Sequence, residues 1–143
     1  MANTRGRDPV PAFSNDLFPY RQFPAWISLM RVLEAIGESQ RQREPETSEL
    51  VRLDKPLIQA GRCIAAIANG GLTPGRWQRR ATAALVFLER AAHSVPAYEA
   101  EGALTRLEGD RILDGIIDTC DLLRQAIDGA RIVEEDRASR AVH

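Results

Sequence analysis

Lysine, histidine and cysteine are nearly absent from this chain. Among its 143 residues Lys55 is the one lysine, His93 and His143 are the only histidines, and Cys63 and Cys120 are the only cysteines. A histidine-based metal centre or a Ser–His pair therefore has little to build on, and Schiff-base chemistry would rest on Lys55 alone. Two cysteines this far apart make neither a disulfide framework nor a zinc motif. Each lies among apolar residues at helical spacing, Cys63 with Ile64 and Ile67, Cys120 with Ile116 and Leu123. They read as buried free thiols, which suits a reducing compartment.

Long apolar runs are missing as well. No stretch approaches the roughly 20 residues a membrane helix needs, and MANTRGRDPV at the N-terminus has no apolar core of a secretory signal. No phosphate-binding glycine loop and no G-x-G-x-x-G after a strand is present. Charge of one sign is not in excess: 19 basic and 20 acidic residues leave a net charge of −1, so no global field draws the chain to nucleic acid or a lipid surface. These absences predict a cytoplasmic, non-enzymatic protein with no cofactor and no membrane partner.

What is present is helical periodicity. Pro24 suits a first helical turn because its missing N–H leaves nothing unpaired there. Trp26, Leu29, Met30, Leu33, Ile36 and Gly37 then follow three and four apart. SQRQREPETSE reads as a charged loop, after which Thr47 or Ser48 can cap a short stretch carrying Leu50, Val51 and Leu53. Asp54-Lys55-Pro56 predicts a new helix there, with Asp54 as N-cap and a stripe of Leu57, Ile58, Gly61, Ile64, Ala65 and Ala68. Asn69-Gly70-Gly71 is a stop and Thr73-Pro74 a restart.

Trp77, Ala81, Ala84, Leu85, Leu88 and Ala92 share the next face, and Ser94-Val95-Pro96 predicts its end. A weaker helix with Tyr98, Leu104 and Leu107 is expected from Pro96, with a break at Gly109-Asp110. The last stripe is the clearest: Leu113, Ile116, Cys120, Leu123, Ile127 and Ala130, widened by Ile112, Ile117 and Val133. No segment alternates with period two, so no strand is expected. The fold reading is all-α: an antiparallel helical bundle of four to six helices, residues 24–136, with a charged tail, 137–143, that frays.

Ahead of the bundle stands PAFSNDLFPYRQFPAW. It holds Phe13, Phe18, Tyr20, Phe23 and Trp26, five of the chain's eight aromatics, among prolines that deny helical continuity. Residues 1–23 therefore read as an extended arm held by side-chain burial. Phe13, Phe18, Tyr20 and Phe23 either plug the end of their own bundle or anchor a protein partner or a second copy of the chain. The leading functional expectation is thus a protein-interaction or adaptor protein acting as a homodimer or on another protein.

The alternative is DNA binding. Residues 64–85 outline helix, tight turn and capped helix, and Arg76, Gln78, Arg79 and Arg80 crowd the first two turns of the second helix, where a recognition helix meets bases and phosphates. Against it, Arg80 falls where that motif buries a residue. Asp110, Asp114, Asp118, Asp121 and Asp128 form a row along the last helix. With Arg111, Arg124 and Arg131 interspersed, the row reads as a solvated face and not as a metal site.

Overall fold

The computed structural model describes residues 9–10, 19–42 and 51–142. Phe13, Phe18, the caps at Thr47 and Ser48, Leu50 and His143 lie outside the described residues, as do the side chains of Val51 and Val133. The fold is all-α, with no strand among the described residues. A short 3-10 turn, Pro19–Gln22, leads into α1 (Pro24–Arg41), α2 (Val51–Asn69), α3 (Pro74–Ala100) and α4 (Arg106–Val142). α2 packs most extensively on α3, α1 on α4, and α3 on α4; α1 also meets α2, and the 3-10 turn rests on α2 and α1. Among the described residues no helix is long and apolar enough to cross a membrane.

Local signals place most helix ends. Pro24 and Pro74 sit in the first turns of α1 and α3, and the Thr73 hydroxyl accepts the Arg76 N–H. Gly70 and Gly71, both at positive φ, end α2. Val10 is tied to that turn by two backbone bonds. Its N–H donates to the Leu72 carbonyl at 2.6 Å, and its carbonyl accepts from the Gly71 N–H at 3.0 Å.

Neither interior proline ends a helix, which corrects the expected boundaries. α2 begins at Val51 and runs through Pro56, and α3 runs through Pro96 to Ala100. An interior proline costs about 3 kcal/mol relative to alanine. In each helix the apolar face continues across it: Leu53 and Leu57 are wholly buried on either side of Pro56, as are Ala91 and Val95 before Pro96, with Tyr98 buried beyond. Burial of large side chains at about 1.5–3 kcal/mol each outweighs the lost backbone bond. The Ser94 hydroxyl donates to the Ala91 carbonyl at 2.7 Å in the turn that Pro96 perturbs.

The separate helix expected from Pro96 to Leu107 is not formed. Gly102, at φ 78°, reverses the chain instead. Its N–H donates to the Glu99 carbonyl at 3.1 Å and the Ala103 N–H to the Tyr98 carbonyl at 2.9 Å. This is the paired closure of a glycine-terminated helix, with Tyr98 and Ala103 buried together. Three residues on, Thr105 and Glu108 cap α4 reciprocally: the Glu108 carboxylate accepts the Thr105 N–H at 2.9 Å, and the Thr105 hydroxyl accepts the Glu108 N–H at 3.1 Å. Replacing Gly102 with alanine forces a Cβ into the left-handed region and is expected to destabilise the fold by about 1 kcal/mol. Urea unfolding followed by circular dichroism measures it; an unchanged midpoint would remove this account of the turn.

α4 does not break at Gly109, where a Cβ would collide with the Glu99 side chain of α3. Its backbone stays helical to Val142, past position 136, with Arg140 and Asp136 paired at 3.2 Å one turn apart. The core stripe of α4 is Ile112, Ile116, Thr119, Cys120 and Leu123; Leu113 is at its edge, and Ile117 is 47% exposed. In α1 the innermost line is Ala25, Leu29, Val32, Ile36 and Ser39, flanked by Trp26, Met30 and Leu33. In α2, Ile58 lies outward at 46% exposure, while Ile67 is buried.

Candidate functional site

The aromatic residues nearest α1 serve the fold. Phe23 is 6% exposed and belongs to the core cluster, and its carbonyl accepts the Ile27 N–H as α1 begins. Tyr20 is half-buried and meets the Trp26 ring edge-on, centroids 4.8 Å apart, with the Arg21 guanidinium 6.0 Å above the tyrosine ring. Both rings pack within their own chain. Of the four aromatic partner-binding candidates, Phe13 and Phe18 alone fall outside the described residues.

At the start of α3 the structure separates structural from surface residues. Trp77 is buried, and its indole N–H donates to the Ile67 carbonyl at 3.3 Å. Arg76, Gln78, Arg79 and Arg80 are all exposed. Three cations here face the positive end of the helix dipole, where cations are disfavoured by a few tenths of a kcal/mol to about 1 kcal/mol each. None of the three is in an ion pair among the described residues.

These arginines belong to a larger basic face. Gly61 marks the flank of α2 turned to α1, because a Cβ there would meet Leu29 and Trp26. Lys55, Gln59, Arg62 and Ala66 follow four, three and four apart on the side turned away from that contact, the first three exposed. On α3, Glu89 marks the flank turned to α4, since it pairs with Arg124 at 3.4 Å. Arg76, Arg80, Ala83, Phe87 and Arg90 run along the other flank, beside α2, with Arg79 outermost. The outer surface of the α2–α3 pair thus carries Lys55, Arg62, Arg76, Arg79, Arg80 and Arg90, all exposed and none ion-paired among the described residues. Arg90 lies 5.9 Å above the half-buried Phe87 ring.

The α1–α4 pair carries a row of aspartates. The helices approach closely where Ser28 and Thr119 share a hydroxyl hydrogen bond of 2.7 Å and where Gly115 meets Val32. Outside that seam lie two adjoining shallow grooves of about 500 and 520 Å³, which share Ser28, Arg31 and Asp118. Asp110, Asp114 and Asp118 line one, Asp118 and Asp121 the other, with Arg31 and Arg111 as the cations. The apolar lining includes Ile27, Val32, Leu107 and Leu122, and Leu107 is 72% exposed.

No protein family, curated protein or solved structure matches this chain. The site is therefore read from its own geometry.

That geometry does not gather reactive groups. Among the described residues no three His, Cys, Asp or Glu side chains converge as a metal site would require. Asp110 to Asp121 is spread along about 16 Å of helix. Cys63 and Cys120 are buried and unbridged. Burial pushes the Cys120 thiol above its usual pKa; Arg124 opposes that rise, and Glu89 and Asp121 add to it. A thiol shifted upward is a poor nucleophile at neutral pH. Burial likewise raises the Asp54 carboxyl, with the Gln40 side chain drawing it partly back. His93 is exposed.

Sequence reasoning found Arg76, Arg79 and Arg80 and the aspartate row, but not the face that Lys55, Arg62 and Arg90 complete. The signal was available. The basic residues of the two middle helices recur on flanks away from their apolar stripes, and an overall balance of charge hides that segregation.

Proposed function

We propose that this chain is a non-enzymatic, cytoplasmic interaction protein: an antiparallel helical bundle that binds a protein partner or itself through charged outer surfaces. The observation that carries this reading is the separation of charge: six cations outside α2–α3 that make no ion pair among the described residues, and two adjoining aspartate-lined grooves outside α1–α4. Surface charge arranged by sign governs encounter and partner choice more than stability. Phe23 is buried and Tyr20 half-buried within their own chain, which supports assigning the interaction role to these faces rather than to the aromatic arm as a whole, with Phe13 and Phe18 as the remaining aromatic candidates.

The test is capture of native-source proteins by four immobilised forms. They are the parent chain, Arg76, Arg79 and Arg80→Gln, Asp110, Asp114 and Asp118→Asn, and Phe13 and Phe18→Ala. A protein retained by the parent and lost from one of the variants supports the reading. Equal retention by all four, or none by the parent, would overturn it.

The basic face favours a second reading, nucleic-acid binding through the start of α3. Phosphate contacts by clustered arginines give affinity that falls steeply with salt. A mixed-sequence duplex bound at low salt, with binding lost on Arg76, Arg79 and Arg80→Ala, would promote it; no binding at low salt would remove it. The extensive α2–α3 packing favours the protein reading, because a helix-turn-helix crosses its two helices at a wide angle.

A further inference from the structure

We infer that the occupant of the aspartate-lined α1–α4 groove is a second copy of this chain, presenting the arginine face of its α2–α3 pair. This inference rests on the interaction reading above and names its partner. The argument begins with position. α1 and α4 pack on each other, as do α2 and α3, and the two pairs meet through the α1–α2 and α3–α4 contacts. The outer surfaces of the pairs therefore lie on opposite sides of the molecule. One carries Asp110, Asp114, Asp118 and Asp121, and the other Arg76, Arg79, Arg80 and Arg90.

Spacing matches as well as sign. Asp110, Asp114 and Asp118 recur every four residues, and Arg76 and Arg80 do the same. Rows of opposite charge with the same rise of about 6 Å per step can register along two apposed helices. The rows also carry apolar companions, Ile27 and Leu107 at the groove and Phe87 on the arginine face, which give the contact a dry component. Within one molecule the arginine row and Asp110, Asp114 and Asp118 make no ion pairs among the described residues, so both arrays stay available to a neighbour.

A contact between unlike faces is heterologous. Once two copies have bound, the pair keeps one groove and one arginine face open, so copies add head to tail until the series closes or is capped. The contact relies on exposed charge, so it is weak and salt-dependent.

Sedimentation velocity of the full chain tests this. At low ionic strength the parent is expected to populate dimer and larger species as concentration rises, and to return to monomer at about 0.5 M salt, where screening acts within a few ångströms. The Asp110, Asp114 and Asp118→Asn variant and the Arg76, Arg79 and Arg80→Gln variant are each expected to remain monomeric when alone. All six positions are exposed, and an unchanged circular-dichroism spectrum confirms folding.

Mixed together, the two variants are expected to form a 1:1 dimer and nothing larger, because one supplies an intact arginine face and the other an intact groove. A parent that stays monomeric at low salt overturns the proposal, as does assembly indifferent to salt or to either variant. So does a mixture that stays monomeric while the parent assembles. A monomeric parent that binds duplex DNA assigns the arginine face to nucleic acid. A monomeric parent that still captures a different protein sinks this proposal and leaves the interaction reading standing.

Discussion

Ile116→Ala is expected to remove about 2–5 kcal/mol of unfolding free energy, the usual range for deleting a buried aliphatic side chain without full collapse of the cavity. Ile116 is wholly inaccessible in the N-terminal third of α4, in one core cluster with Leu29 and Val32 of α1 and Leu88 and Ala91 of α3. A domain of this kind has about 5–15 kcal/mol of stability in total, so the loss is a large share of it. The next residue supplies the control. Ile117 is 47% exposed, and Ile117→Ala is expected to change stability by no more than about 0.5–1 kcal/mol. Urea unfolding of the two variants, with equal m-values, gives the comparison. If the two substitutions cost the same, the rotational setting of α4 described here is wrong.

Gly115→Ala is the second large effect. On the helix alone it would be favourable by up to about 1 kcal/mol, because alanine is the better helix former. In the fold it is expected to destabilise by about 1–3 kcal/mol. A Cβ at position 115 would stand 2.7 Å from the Val32 Cγ2. Val32 is buried and β-branched, so its χ1 has little freedom to turn the methyl aside. Relief requires α1 and α4 to separate. That strains the Ser28–Thr119 bond one turn away, where the Thr119 hydroxyl also donates to the Gly115 carbonyl at 2.9 Å.

The diagnostic measurement is a double-mutant cycle with Val32→Ala. That substitution alone destabilises by deleting buried methyls. With Gly115→Ala it makes room, so the two together should cost clearly less than the sum of their separate effects. Additive effects would show that α1 and α4 do not meet at this pair.

The sequence shows the existence of the helices plainly and their lines of closest approach poorly. For α1, the expected stripe of Trp26, Leu29, Met30, Leu33, Ile36 and Gly37 includes Leu29 and Ile36, both wholly buried, but the innermost line also runs through Ala25, Val32 and Ser39, while Trp26, Met30 and Leu33 only flank it. Apolarity tells which side of a helix is inward. Small residues tell where a neighbour comes closest, and the pairing of Gly115 with Val32 shows what that involves. Pro56 and Pro96 misled for a related reason: their local penalty is visible in the sequence, whereas the burial of Leu53, Leu57, Val95 and Tyr98 that offsets it is a property of the assembled core. The turn from α3 to α4 was legible but missed, since Thr105-Arg106-Leu107-Glu108 has the spacing of a reciprocal cap and Gly102 stands where a helix would end.

For the candidate surfaces, the composition shows near-neutrality and hides segregation. Arg62 and Arg79 are far apart in the chain and come onto one face only when α2 and α3 pack. The aspartate row lies within a single helix, so its spacing is readable directly; that Arg31 of α1 lies across a groove from it is not.

A body with a cluster of exposed cations on α2 and α3 and a row of carboxylates on α4 has a permanent dipole moment even when its monopole nearly vanishes, as it does here at −1. Near any charged surface such a molecule feels a torque before it feels a pull. It turns while still approaching, and it arrives with one particular side leading.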